Sequence, residues 1–362
     1  DAVLKAGHGR IQCSFSREAG RLTRYHMLDT DTGMAWADGR WDFLLAVEHN
    51  GNTLNATEAT LSEGASSSTM KDNSWQFTLT PRFDNESSSV CAMMLEIRTP
   101  ATGEWLEERL ILRNTGRSKL RITAFRAMLS RSLPDRDVMC FPVPFESCHS
   151  RPQPVSLREN VSYECNRDGA VLLSGNAGLV IARHPTSLEE EPHFVGVKRT
   201  EHGFSLAGIA RGVPEGRTYI ELKPGECQDW GVTRYTPYRG SLEDGLLRYR
   251  DFMAHCGVKL PVNYSPPINY CIYYECGERY HHPKLMEGLK YAVETGCTLL
   301  YTDQGWEDYF GSGRWDTTRL GKLDEFVETA KKAGLRVGVL VGLHTDSYVW
   351  PRRFSRRDAA GN

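Results

Sequence analysis

What this chain lacks narrows its chemistry before any motif is read. No window of about 18 uninterrupted apolar residues occurs, which excludes a membrane-spanning helix. No run of about five or more like charges occurs either. With a formal net charge of −2 over 362 residues, nothing points to nucleic acid or an anionic membrane as partner. Arg352-Arg353 and Arg356-Arg357, the densest basic cluster, read as a solvated loop. Ten cysteines run from Cys13 to Cys297 without one Cys-x-x-Cys pair, so no disulfide framework is implied. His281-His282 and His344 find no third ligand at suitable spacing, and no metal or other cofactor is expected. The chain opens at Asp1 and shows no signal peptide, and its four Asn-x-Ser/Thr triplets, at Asn55, Asn85, Asn160 and Asn263, leave the compartment open.

What is present is enough apolar surface for real cores: 40% apolar residues, 10% aromatic. Residues 1–240 read as short strands. Trp75–Thr80, Leu106–Leu112 and Leu120–Phe125 alternate with a period near two. Asn50-Gly51, Asp168-Gly169, Gly175-Asn176 and Pro214-Glu215-Gly216 punctuate them. Many short strands with such breaks predict a large antiparallel β-sandwich, supersandwich-like in extent, and no helix is expected before Leu242.

From Ser241 the period changes. Leu242, Leu246-Leu247, Tyr249 and Phe252-Met253 form a helical stripe capped by Ser241, and Gly257, Pro261 and Pro266-Pro267 follow. Residues 241–265 read as a helical and Pro-rich linker. Residues 266–362 read as three β/α units: a strand at Ile268–Tyr274, a helix from His282-Pro283 with Leu285, Leu289 and Val293 on one face, and a strand at Thr298–Tyr301. A helix with Leu323, Phe326, Val327 and Ala330 inward and a strand at Arg336–Val341 complete them. Tandem βα units imply parallel strands. The stretch supplies 97 residues where a closed eight-unit barrel needs roughly 250, so the chain reads as a fragment that stops inside a barrel.

The second strand ends in Thr302-Asp303-Gln304-Gly305-Trp306, an acid beside an indole on a β→α loop, as a sugar pocket requires. Together with Tyr219–Tyr235 ("YIELKPGECQDWGVTRY"), "PPINYCIYY" and "AGLRVGVLVGLH", this order resembles the melibiase clan, closest to glycoside hydrolase family 36. That family contains α-galactosidases and raffinose-synthase-like relatives. The resemblance implies a (β/α)8 TIM barrel after the sandwich, an oligosaccharide or glycoside substrate, and substrate binding by Asp303, Gln304, Trp306 and Trp315. It also implies retaining hydrolysis by two aspartates from the fourth and sixth barrel strands, expected beyond Asn362, so no catalytic residue is assigned within the chain.

Where the family has Asp-Asp-Gly-Trp, this chain has Gln304 in place of the second acid; Arg314 stands within its Gly-Asp-Trp, and Asp346 alone offers an acid after the third strand. An amide donates and accepts but carries no charge, which leaves an α-glucoside-acting relative or a galactosyl transferase of the same architecture open. A non-catalytic, mutarotase-like sugar-binding module is the further alternative, though the scatter of His149, His193 and His202 does not make its site. Structural alternatives for Asp303 are a helix cap or an ion pair with Arg314, and for the two tryptophans a place in the core. Glu275, Cys276 and Glu278 follow the first strand, at a pocket rim or in a polar loop. A homo-oligomer is left open.

Overall fold

The computed structural model describes residues 2–7, 9–19, 21–39, 41–61, 74–84, 90–132, 137–143, 154–159, 164–184, 195–201, 203–209, 212–213, 217–258, 261–277, 280–309 and 312–341. The basic cluster at 352–357, His149, His193, His202, Glu278, His344 and Asp346 lie outside the described residues. Two compact units divide the chain at Lys259 and Leu260.

Among the described residues the first unit is antiparallel throughout, with nineteen strands in one connected sheet. Val195–Arg199, Gly203–Ile209, Leu120–Ser132, Trp41–His49, Asn52–Leu61 and Ser74–Phe83 follow one another as hydrogen-bonded neighbours. The ribbon continues through Cys91–Arg98, Leu106–Asn114, Cys227–Arg239, Ala177–His184 and Gly169–Ser174 to Met139–Val143. Alternation explains why it folds over: in Cys91–Arg98 every second side chain is buried, so the ribbon has one apolar face that must be covered. Covering comes from the ribbon itself. Phe125 and Trp230, from strands far apart along it, stack with centroids 3.9 Å apart, and one core gathers Phe15, Tyr25, Trp36, Leu45, Leu95, Leu112 and Trp230. The turn at Asn50-Gly51 has both φ values positive, +50° and +80°, and joins His49 to Asn52 as a two-residue hairpin.

The helix Leu242–His255, read above as part of a linker, lies on this sheet. Its Phe252 is buried with Val171, Val180, Ala182 and Tyr238, while Leu246 and Tyr249 pack at the margin. Gly169–Ser174 is therefore covered on both faces, and its near-continuous burial follows. Ser241 begins the helix, its backbone N–H donating to the Asp244 carboxylate at 2.8 Å.

The second unit contains a three-stranded parallel sheet of Asn269–Cys271, Leu299–Thr302 and Arg336–Val339. Helices His282–Glu294 and Leu323–Lys332 cover one face, burying Leu285, Leu289, Leu300, Phe326 and Ala330 together. The first strand is shorter than expected, because Tyr273–Cys276 turns into a helix. Val293 is 45% exposed, and the buried face of its helix runs instead through Gly288 and Ala292. A methyl group on Gly288 would sit 3.0 Å from Ile272 Cδ1, so the helix approaches the sheet closely enough to require small residues there.

Candidate functional site

Parallel strands put their C-terminal ends on one edge of the sheet, and the loops leaving that edge carry chemistry in α/β folds. Register pairs Cys271 with Tyr301, Tyr301 with Gly338, and Thr302 with Val339. Along the central strand Leu300 and Thr302 are buried, whereas Leu299 and Tyr301 are half-buried. Tyr301 thus stands on the face opposite the helix-covered core, beside Cys271, and Asp303 continues that side of the strand.

Asp303 is half-buried. Its Oδ1 accepts the backbone N–H of Gln304 at 2.7 Å, and its Oδ2 lies 3.8 Å from Cys271 Sγ. Tyr280, fully buried, donates its hydroxyl to the Asp303 main-chain oxygen at 3.4 Å. Burial raises the Cys271 thiol pKa, and the Asp303 charge adds to the rise. Burial, then the same charge, raises that of Tyr301. Both neighbours are therefore neutral at neutral pH, and the Cys271 thiol faces the Asp303 carboxylate. The structural alternatives weighed for Asp303 are not what the fold uses: Arg314 pairs with Asp308 at 2.7 Å, and the next helix, Thr317–Leu320, is capped by Asp316. Gln304 is half-buried, and its side-chain amide makes no hydrogen bond among the described residues.

Trp306 and Trp315 come together, their centroids 6.2 Å apart at an interplanar angle of 31°. Both belong to the helix-side core. Trp306 is 6% exposed and donates its indole N–H to the Leu340 carbonyl at 2.7 Å; Trp315 donates to the Gly321 carbonyl at 2.8 Å and stacks on Phe326. Neither indole N–H is free for a ligand, and what Trp315 can offer is the part of its ring left half-exposed.

The loop from Gln304 to Asp316 is held by a residue that sequence reasoning missed. Arg319 pairs with Asp316 at 3.0 Å and donates to the carbonyl oxygens of Tyr280, Gly305 and Glu307. Gly305, at φ +98°, makes the turn that lets Trp306 fold back into the core. Glu307, buried, accepts the backbone N–H of Gly313 at 2.7 Å and pairs with Trp315 in a β-bridge. The spacing Asp316-x-x-Arg319 carries a trace of this clamp, since it is the distance at which a cap and its helix meet. Glu275 and Cys276 lie in the short helix after the first strand, with Tyr270 donating to Glu275. Among the described residues no group of three or more His, Cys, Asp or Glu side chains is placed to hold a metal ion.

No protein-family model matches the sequence, and no curated protein matches it. Solved structures do. The galactosidase domain of the α-galactosidase-sucrose kinase AgaSK matches over 94% of this chain and 56% of its own, at TM-score 0.57 and 12% identity. The family 36 α-galactosidase AgaA from Geobacillus stearothermophilus does so over the same shares, at TM-score 0.59 and 12% identity. This chain has the fold of the matching part of family 36 α-galactosidases. A family 97 glycoside hydrolase from Pseudoalteromonas sp. strain K8, in complex with acarbose, also matches, at TM-score 0.56 and 10% identity over 93% of this chain and 53% of that one. The chain spans little more than half the length of these enzymes. The melibiase-clan resemblance drawn from the residues around Asp303 is thus met by the fold.

Proposed function

We propose that the protein is a glycoside hydrolase acting on α-linked galactosides with retention of configuration, and that Asp303 binds the substrate. The observation that carries this reading is the position of Asp303: a carboxylate at the C-terminal end of the middle parallel strand, in a chain that shares its fold with α-galactosidases over 94% of its length. Structures of AgaA variants in complex with stachyose and with raffinose support a saccharide as the ligand class. In this reading residues 1–240 and the helix Leu242–His255 packed on them are the sandwich domain, the Pro-rich stretch up to residue 265 leads on, and residues 266–362 are the first three units of a TIM barrel.

The chemistry follows from what these residues can do. Asp303 has one oxygen fixed by the Gln304 N–H and the other beside a neutral thiol. The carboxylate keeps lone pairs for two adjacent sugar hydroxyls, and each charge-assisted bond is worth roughly 1.5–3 kcal/mol. Arg319 fixes the loop backbone, so the carboxylate is pre-positioned for its ligand. Retention needs two carboxyls about 5–5.5 Å apart, one as nucleophile and one as acid then base, and this reading assigns neither role to a described residue.

Gln304 favours a second reading. An uncharged amide next to Asp303 suits a different hydroxyl pattern, and an α-glucoside-acting enzyme or a galactosyl transferase of the same architecture would need no acid there. Release of nitrophenol from α-galactoside and α-glucoside by the whole protein separates the readings. Galactoside turnover at least about tenfold faster supports the first. Faster glucoside turnover transfers support to the second, and binding without turnover of either points to the sugar-binding module.

A further inference from the structure

A second cleft, of about 400 Å³, opens in the first unit between the helix Leu242–His255 and the edge of the sandwich. We propose that it binds a neutral saccharide, separately from Asp303. Its floor is Arg234, a buried guanidinium in the strand Cys227–Arg239. Two of its nitrogens, Nε and Nη2, bond Glu107 at 2.9 and 2.6 Å, and its Cζ lies 4.1 Å from the ring centroid of Trp105 and 5.0 Å from that of Phe252. Nη1 has no partner among the described residues, although the side chain is only 6% exposed. Held by its other two nitrogens, Arg234 keeps Nη1 open to a ligand or water in the cleft.

The walls supply the rest. Trp105 is half-buried, with one face under Arg234, and its indole N–H has no partner among the described residues. It is held there from the neighbouring turn: a methyl group on Gly9 would come within 2.7 Å of Gly103 Cα, and the Arg10 N–H donates to the Gly103 carbonyl at 3.1 Å. This close approach sets Glu104 and Trp105 against Arg10 and Asp31. Across the cleft, Arg248, Asp251 and His255 follow one another at three- and four-residue steps on the same helix face.

The charges decide the ligand class. Arg10 is paired with Asp29 at 3.0 Å and more loosely with Asp31 at 3.7 Å, Arg234 with Glu107, and Asp251 with Arg250 at 3.5 Å, which leaves Arg248 and Glu104, one charge of each sign. A cleft whose charges are balanced within the protein offers no net charge to attract a phosphate or carboxylate ligand. Donors, acceptors and an aromatic ring in one cavity of this size match a neutral pyranose, whose hydroxyls both donate and accept.

The test is a ligand-observed NMR titration of the chain with lactose and cellobiose, neither of them an α-galactoside or an α-glucoside, with inorganic phosphate as a separate arm. Saturable binding of at least one disaccharide is expected, and Trp105→Ala should weaken it by at least about tenfold. Arg248→Ala should weaken it severalfold, and Asp303→Asn should leave it unchanged. Because Trp105 also packs on Arg234, Arg248→Ala serves as the variant that leaves the packing intact. No saturable disaccharide binding, binding indifferent to both cleft variants, or phosphate binding that displaces the sugar would each overturn the assignment. The glycosidase reading fails by a different result, the loss of nitrophenol release, so the two are distinguishable.

Discussion

The two units of this chain bury their apolar residues in different ways. In the sandwich a long antiparallel ribbon folds onto itself, and a helix covers what is left outside. In the β/α unit helices cover one face of a short parallel sheet, and the other face carries Tyr301, Cys271 and Asp303. Exposure follows. Among the described residues, Val262, Tyr264, Ile268, Tyr274, Tyr291, Val293, Leu323, Val339 and Val341 are exposed in the smaller unit, against Val3, Tyr219, Leu247 and Val258 in the larger. Among the described residues the sandwich closes its core more completely, whereas the β/α unit leaves more large apolar side chains exposed.

Mutations that act on one unit alone put that contrast to work. The largest effect is expected at Trp230, fully buried, stacked on Phe125 and bonded to the Gly212 carbonyl at 2.8 Å. Trp230→Ala should destabilise the sandwich by about 3–5 kcal/mol while leaving the unfolding of the β/α unit where it was, as read by calorimetry with two resolved transitions. One transition that falls as a whole would break the two-unit picture.

Arg319→Ala should cost the β/α unit roughly 2–3 kcal/mol, because three backbone carbonyls and Asp316 lose their donor together. Hydrogen exchange should rise across residues 304–316 and stay unchanged in the sandwich. Exchange that remains slow in that loop would show that Arg319 is not its clamp.

A smaller, pH-dependent effect belongs to Glu108 inside the sandwich. Burial, opposed in part by the charge of Arg183, pushes its carboxyl from an ordinary 4.5 up to about 7. Between those values the folded state holds the proton and the unfolded state does not, so stability falls as pH rises through that window. Glu108→Gln should therefore be more stable than the parent by roughly 1–3 kcal/mol above pH 7, with the difference gone near pH 4.5. An unfolding difference independent of pH would refute the shifted carboxyl.

The same contrast explains how much could be read from the sequence. Strand periodicity in Leu106–Asn114 and the Asn50-Gly51 hairpin are local facts, and they were legible because alternation and positive φ leave marks on neighbouring residues. The helix Leu242–His255 was legible as a helix but not as part of the sandwich: a stripe says that something will cover it, not what. Val293 misled because a close helix-to-sheet approach selects small residues, so Gly288 and Ala292 mark the buried face where bulk would suggest otherwise. Asp303 and its loop were visible in the residues. Arg319 left only the Asp316-x-x-Arg319 spacing as a trace, since its bonds to the carbonyls of Tyr280, Gly305 and Glu307 follow no spacing rule.

The smallest expected stability change carries the most functional weight. Asp303 caps no helix and pairs with no cation among the described residues, so Asp303→Asn should shift the melting temperature of the β/α unit by almost nothing. If it binds substrate, the same change removes charge-assisted bonds to sugar hydroxyls and lowers nitrophenyl α-galactoside turnover in the whole protein by at least about tenfold per folded molecule. Specific activity of Asp303→Asn, measured beside its thermal unfolding, is the decisive experiment: an unshifted melting temperature with activity lost is the predicted result, and a destabilised protein with full activity would contradict the account.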